Sequence, residues 1–137
     1  MTPGRWFLAY LGTTVVFLAV DLLWLGIVAR GLYKRHLGHL MASRPNWPAA
    51  FVFYAIFIVG IFVFAIVPAL ERDSAQYALT MSAAFGFFTY ATWDLTNLAV
   101  LKDFPRAIVF IDIPWGVVLT GTVGWSGYWI ASWLTPG

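Results

Sequence analysis

Cysteine is absent from the 137 residues, which excludes disulfides, thiolate nucleophiles, cysteine metal sites and dithiol redox chemistry of the kind that reduces vitamin K. Charge is scarce as well. Asp, Glu, Lys and Arg make up 10% of the chain, and the net charge of +2 comes from a few loop residues rather than a basic face, so no nucleic-acid partner is expected. The sequence also lacks a phosphate-binding loop, a histidine inside an apolar run, and any nucleophile or cofactor motif. That weighs against an enzyme and leaves no cofactor to expect. What fills the chain is apolar: 61% of residues are hydrophobic and 19% aromatic, a composition outside the range of soluble domains. The class that remains is an integral membrane protein.

Four runs are long enough to cross about 30 Å of hydrocarbon as helices. They predict an all-α antiparallel four-transmembrane-helix bundle, one domain over residues 1–137, with helices at about 6–28, 48–70, 75–101 and 107–133. The first run is longer than a signal-peptide core and no small-residue cleavage site follows it, so it reads as retained. The next loop carries Arg30, Lys34, Arg35, His36, His39 and Arg44. Within it, Gly31 to His39 sets Leu32, Tyr33 and Leu37 against basic residues, the pattern of a short interfacial helix. Asn46 suits an N-cap and Pro48 a first turn. The second helix is apolar on every side, with Tyr54 its only hydroxyl, and reads as scaffold whose Ile58 and Val63 face lipid. Short turns at Glu71 to Ser74 and Lys102 to Arg106 make sequential helices pack side by side.

The first and third loops hold six of the eight lysines and arginines, so their side is expected to be cytoplasmic and both termini periplasmic. Trp6, Tyr10, Trp125, Tyr128, Trp129 and Trp133 then form an outer aromatic belt. Against this background the stretch Tyr90-Ala91-Thr92-Trp93-Asp94-Leu95-Thr96-Asn97 stands out. A charged group inside a membrane helix costs about 2.5–3.5 kcal/mol on insertion scales and is kept only where it faces protein or water.

Asp21 and Asp112 are its companions: at about 1.5 Å per residue, all three acids fall roughly 6–12 Å from their helix midpoints, on the cytoplasmic side. Tyr90, Asp94 and Asn97 share one face, where Asp94 can bond both neighbours, and Thr92 and Thr96 form an adjacent strip. Asp21 shares a side with Thr14, Phe17 and Trp24, and Asp112 with Trp115 and Gly116. The candidates for ligand or proton binding are therefore Asp21, Asp94, Asp112, Asn97, Thr96, Tyr90, Trp24 and Trp115. No lysine or arginine lies within the helices, so three neighbouring carboxylates cannot all be ionised without a cation or a proton. The competing structural reading pairs the acids with Arg30, Lys102 and Arg106 as those side chains snorkel.

Three further patterns carry less. His36 and His39, spaced i and i+3, read as solvated loop residues rather than metal ligands, and no metal is expected. Asp21-x-x-Trp24 and Asp112-x-x-Trp115 echo each other, but over too few positions to count as an inverted repeat. Gly116, Thr120 and Gly124 form a small-residue ridge that serves equally for packing within the bundle or for a homo-oligomer.

With Asp21-x-x-Trp24-Leu25 in the first helix, Ala91-Thr92-x-Asp94-Leu95-Thr96-Asn97-Leu98-Ala99 in the third and Asp112-x-x-Trp115-Gly116 in the fourth, the chain resembles the bacterial family of predicted membrane proteins designated DUF2177. The resemblance spans essentially the whole chain. Trp93 departs from it, standing where a smaller residue is expected. What the resemblance implies is a multi-pass protein of the bacterial inner membrane whose family keeps company with lipid-modifying enzymes, which tilts the reading toward lipid-linked work. Two functions are weighed. One is a lipid- or amphiphile-binding protein, or an accessory to lipid modification, that takes membrane lipids at its aspartates. The other is a small proton- or cation-coupled transporter.

Overall fold

The computed structural model describes residues 1–29 and 31–136; Arg30, named above as a snorkelling partner, and Gly137 lie outside the described residues. Thr2 accepts a hydrogen bond from the Arg5 amide at 3.3 Å and Pro3 fits the first turn, so α1 (Pro3–Leu23) begins three residues before Trp6, its expected start. It widens into a π-helical turn, Trp24–Val28, in which the Ala29 amide reaches back to the Trp24 carbonyl at 2.7 Å. A short helix, α2 (Leu32–Leu37), follows and ends in a 3-10 turn at Gly38–Leu40.

Asn46 caps α3 (Trp47–Ile61) by accepting from the Ala49 amide at 3.2 Å, with Pro48 in the first turn. A second π-helical turn, Phe62–Ile66, joins α3 to α4 (Val67–Glu71). Ser74 caps α5 (Ala75–Val100) through the Tyr77 amide at 3.0 Å. The last helix, α6 (Arg106–Leu134), contains Pro114. The two tight reversals place Asp73 and Asp103 in the left-handed region, with φ of 48° and 62°, a conformation aspartate tolerates better than most side chains.

The described residues form helices joined by short loops, with no strand. Three stretches are long and apolar enough to cross a membrane: Pro3–Val28, Trp47–Glu71 and Arg106–Leu134. At 26 residues α5 is as long, but its hydroxyls, amides and Asp94 lower its hydropathy below that of the other three. The tightest packing is between α5 and α6, with α1 laid against α6 and the Phe62–Ile66 turn touching both α5 and α6.

Four residues spaced by four, Ala9, Thr13, Phe17 and Asp21, form the buried stripe of α1. Thr14, expected beside Asp21, stands off this stripe and spends its hydroxyl on the Tyr10 carbonyl at 2.8 Å. The second helix also differs from its reading as uniform lipid-facing scaffold. Val63 is 55% exposed, but Ile58 is fully buried, within a face that also includes Phe57, Ile61, Phe62 and Ile66. Uniform apolarity carries no moment to show which side turns inward, and the π-helical turn shifts the register of that side partway along. The ridge of Gly116, Thr120 and Gly124 is buried against α5 of the same chain. Packing within the chain thus covers the surface that a homo-oligomer through the ridge would need.

Candidate functional site

Asp21, Asp94 and Asp112 arrive from α1, α5 and α6, and all three are buried, at 8%, 0% and 8% exposure. Asp21 and Asp112 are held by aromatic donors. The Trp24 indole N–H donates to the Tyr33 hydroxyl at 3.2 Å, and that hydroxyl donates to Asp112 Oδ1 at 2.9 Å. Burial, and then the charge of Asp112 beside it, push the Tyr33 phenol above its ordinary pKa, so it remains a neutral donor at physiological pH. The Tyr54 hydroxyl reaches Asp21 Oδ2 at 3.4 Å, a long bond, while Trp115 and Asp112 are the other polar neighbours of Asp21.

The two tryptophans stack on each other, ring centres 4.3 Å apart and planes within 8°. The Asp-x-x-Trp echo therefore marks two segments that meet. Trp24, at the start of the π-helical turn, serves the acid of α6 through Tyr33 of α2, and Trp115 of α6 lies beside the acid of α1. The π-helical turn that begins at Trp24 lies where such turns recur, beside a polar site.

Asp94 is different. Neither of its carboxylate oxygens has a hydrogen-bond partner, although both are buried; its polar neighbour is Asp112, across the α5–α6 contact. The expected bonds from Tyr90 and Asn97 do not form. Tyr90 lays its ring over Gly116, where a Cβ would collide with it, and Asn97 is half-buried. Thr96 is exposed and takes no part, and Thr92, also exposed, bonds back to the Phe88 carbonyl. A 100° step per residue swings both threonines away from the buried line that carries Asp94.

Lys102 and Arg106, the remaining candidates for snorkelling ion pairs, are exposed. Among the described residues no three histidines or acids converge as a metal would require. His39 instead ties two loops together, its Nε2 lying 3.0 Å from the Asp103 carbonyl.

A cavity of about 380 Å³ opens between α3 and α5, lined by Phe53, Phe57, Thr89, Tyr90 and Trp93 and by Asp112 of α6. The size falls within the range of small-molecule pockets, about 300–1,000 Å³. Sequence reasoning missed Tyr33 and Tyr54 as site residues. Tyr33 reads as one more apolar residue of an amphipathic loop helix. Tyr54 carried a usable signal, since a single hydroxyl in an otherwise apolar membrane helix seeks a partner.

The profile of the family described as "Predicted membrane protein (DUF2177)" matches residues 6–129, a span that includes all three acids, both stacked tryptophans and both tyrosines. The chain belongs to this family. No match to a curated protein or to a solved structure was found. Membership establishes a membrane protein with apolar helices and assigns no activity, so function rests on the chemistry of the buried acids.

Proposed function

We propose that the chain is an antiparallel bundle of four membrane-crossing helices in the bacterial inner membrane, with both termini periplasmic. In this reading it binds a lipid or another amphiphile at the acids of its cytoplasmic half. The fourth crossing is α5, whose 26 residues reach about 39 Å at 1.5 Å each and whose Ser82 and Asp94 are buried against protein rather than hydrocarbon. The observation that carries the reading is the cavity between α3 and α5: aromatic walls lead from the helix surface to the Asp112 carboxyl, with Asp94 beside it. Apolar walls with a few convergent polar groups are what an amphiphile site requires. Phe53 and Trp93 at its rim are 52% exposed each, so in a bilayer the mouth faces acyl chains.

Lipid-resolved mass spectrometry of the purified chain tests this. The wild type is expected to retain one amphiphile class that Asp94→Asn loses. Equal retention by both, together with proton flux in proteoliposomes that only the wild type supports, would replace binding with proton-coupled transport.

A further inference from the structure

The nature of the missing partner follows from what already surrounds the acids. Tyr33 and Tyr54 donate to Asp112 and Asp21, and the Trp24 indole donates to Tyr33. Every aromatic hydrogen bond in the cluster thus runs toward a carboxylate. No basic side chain joins them among the described residues, since the nearest in sequence, Lys102 in the loop and Arg106 at the start of α6, are exposed. Asp94 is left with two buried, unpartnered oxygens next to Asp112. Two facing carboxyls need either a shared proton or a cation between them, because a buried carboxylate is stable only when paired or fully hydrogen-bonded, and a cation satisfies both at once. The three acids do not converge closely enough for a metal ion to supply the charge. A lateral route to them is offered by the cleft between α3 and α5, whose lining is phenylalanine, tyrosine, tryptophan, one threonine and Asp112.

Resting on the amphiphile-binding reading above, we infer that the occupant is a single-chain amphiphile with a cationic amine head. It enters from the bilayer between α3 and α5, lays its chain along Phe53, Phe57 and Trp93, and seats its ammonium against Asp112 with Asp94 as the second negative group. An ammonium brings three donors and no acceptor, which matches a site made of acceptors. A phosphate or carboxylate head would add a like charge to two buried acids. An alcohol head brings one donor and leaves the charge uncompensated. The chain also explains the position of Trp93, whose bulk forms the rim of the cleft and packs edge-on against Phe104, ring centres 5.8 Å apart.

The test uses the full-length protein in phosphatidylcholine nanodiscs, titrated with decylamine, decanol and decanoate at pH 7 and read by native mass spectrometry and by the thermal unfolding midpoint. Decylamine is expected to bind at least about tenfold more tightly than decanol, the effect of one charge-assisted hydrogen bond, and decanoate most weakly. In Asp94→Asn the preference for amine over alcohol should shrink to about twofold or less. Thr89→Phe, which fills the cleft from α5 at a position whose hydroxyl bonds only its own helix backbone, should weaken amine and alcohol alike.

Equal binding of decylamine and decanol by the wild type would overturn the amine assignment and leave the amphiphile reading standing. So would tighter binding of decanoate. Failure of all three to bind or to shift unfolding would remove both. Full binding by Thr89→Phe would overturn the lateral route. The wild-type head-group series decides the assignment even if a variant fails to insert.

Discussion

The two halves of α5 follow one geometric rule and reach opposite results. Ala78, Ser82, Gly86, Tyr90 and Asp94 fall at intervals of four along a single stripe, and all but the half-buried Tyr90 are buried. α6 answers with Asp112, Gly116, Thr120, Gly124 and Tyr128 at the same interval, all buried. Running antiparallel, the stripes set Ser82 against Gly124, Gly86 against Thr120, Tyr90 against Gly116 and Asp94 beside Asp112. In the first half, small residues on both sides bring the backbones so close that a Cβ at Gly124 would run into Ser82. In the second half a tyrosine ring and two carboxyls occupy the same line, and a cavity opens beside them. Side-chain size along one register thus separates a closed seam from a site. The seam fixes the register, and the register delivers Asp94 to a place it would not otherwise occupy.

The widest separation of the two halves should come from Gly124→Leu. Leucine has no room against Ser82, and overpacking of this kind costs about 1–3 kcal/mol; the upper end is expected because the Ser82 Cβ, fixed to the facing helix backbone, blocks it as well as the hydroxyl. Thermal unfolding in detergent, with Val63→Leu on the exposed side of α3–α4 as the reference, measures this. A loss no larger than the reference would mean that the seam does not set the register.

Asp94→Leu should act in the other direction. Leucine keeps the branching of aspartate and removes two unsatisfied buried oxygens, so stability should rise by about 1 kcal/mol, the low end of the penalty for an unpaired polar group, while decylamine binding is lost. A fall in the unfolding midpoint would show that Asp94 has a structural partner after all.

The smallest effect belongs to Tyr33→Phe, which removes the link from Trp24 to Asp112. About 0.6 kcal/mol is expected, the average for interhelical hydrogen bonds in membranes. Native-state hydrogen exchange around α2 checks it, because loosening should be confined to that helix. Exchange that spreads into the α5–α6 seam would erase the distinction between the halves.

Much of the arrangement was legible before any coordinates. Asn46 and Pro48 mark the start of α3 by their chemistry, and a short helix at Leu32–Leu37 appears where leucine and tyrosine alternate with basic residues. The three acids stand out because hydrocarbon penalises them, and all three are buried. What escaped was orientation. Ile58 and Val63 are equally apolar, and only packing separates the buried one from the exposed one. Thr96 and Thr92 lie within two positions of Asp94, yet the helix turns them outward.

By itself, the sequence determined the class, the approximate helix limits and the presence of acids that hydrocarbon would not tolerate, because each depends on transfer energies and caps that single residues express. The tertiary structure decided which acids meet, that Tyr33 and Tyr54 hold two of them, that Trp24 stacks on Trp115, and that Asp94 is left without a partner. The physical reason is that lipid and a membrane-protein interior are nearly equal in polarity, so apolar residues say little about which way a helix faces. Only the close contact of small residues along α5 and α6 breaks that degeneracy and aims the polar groups.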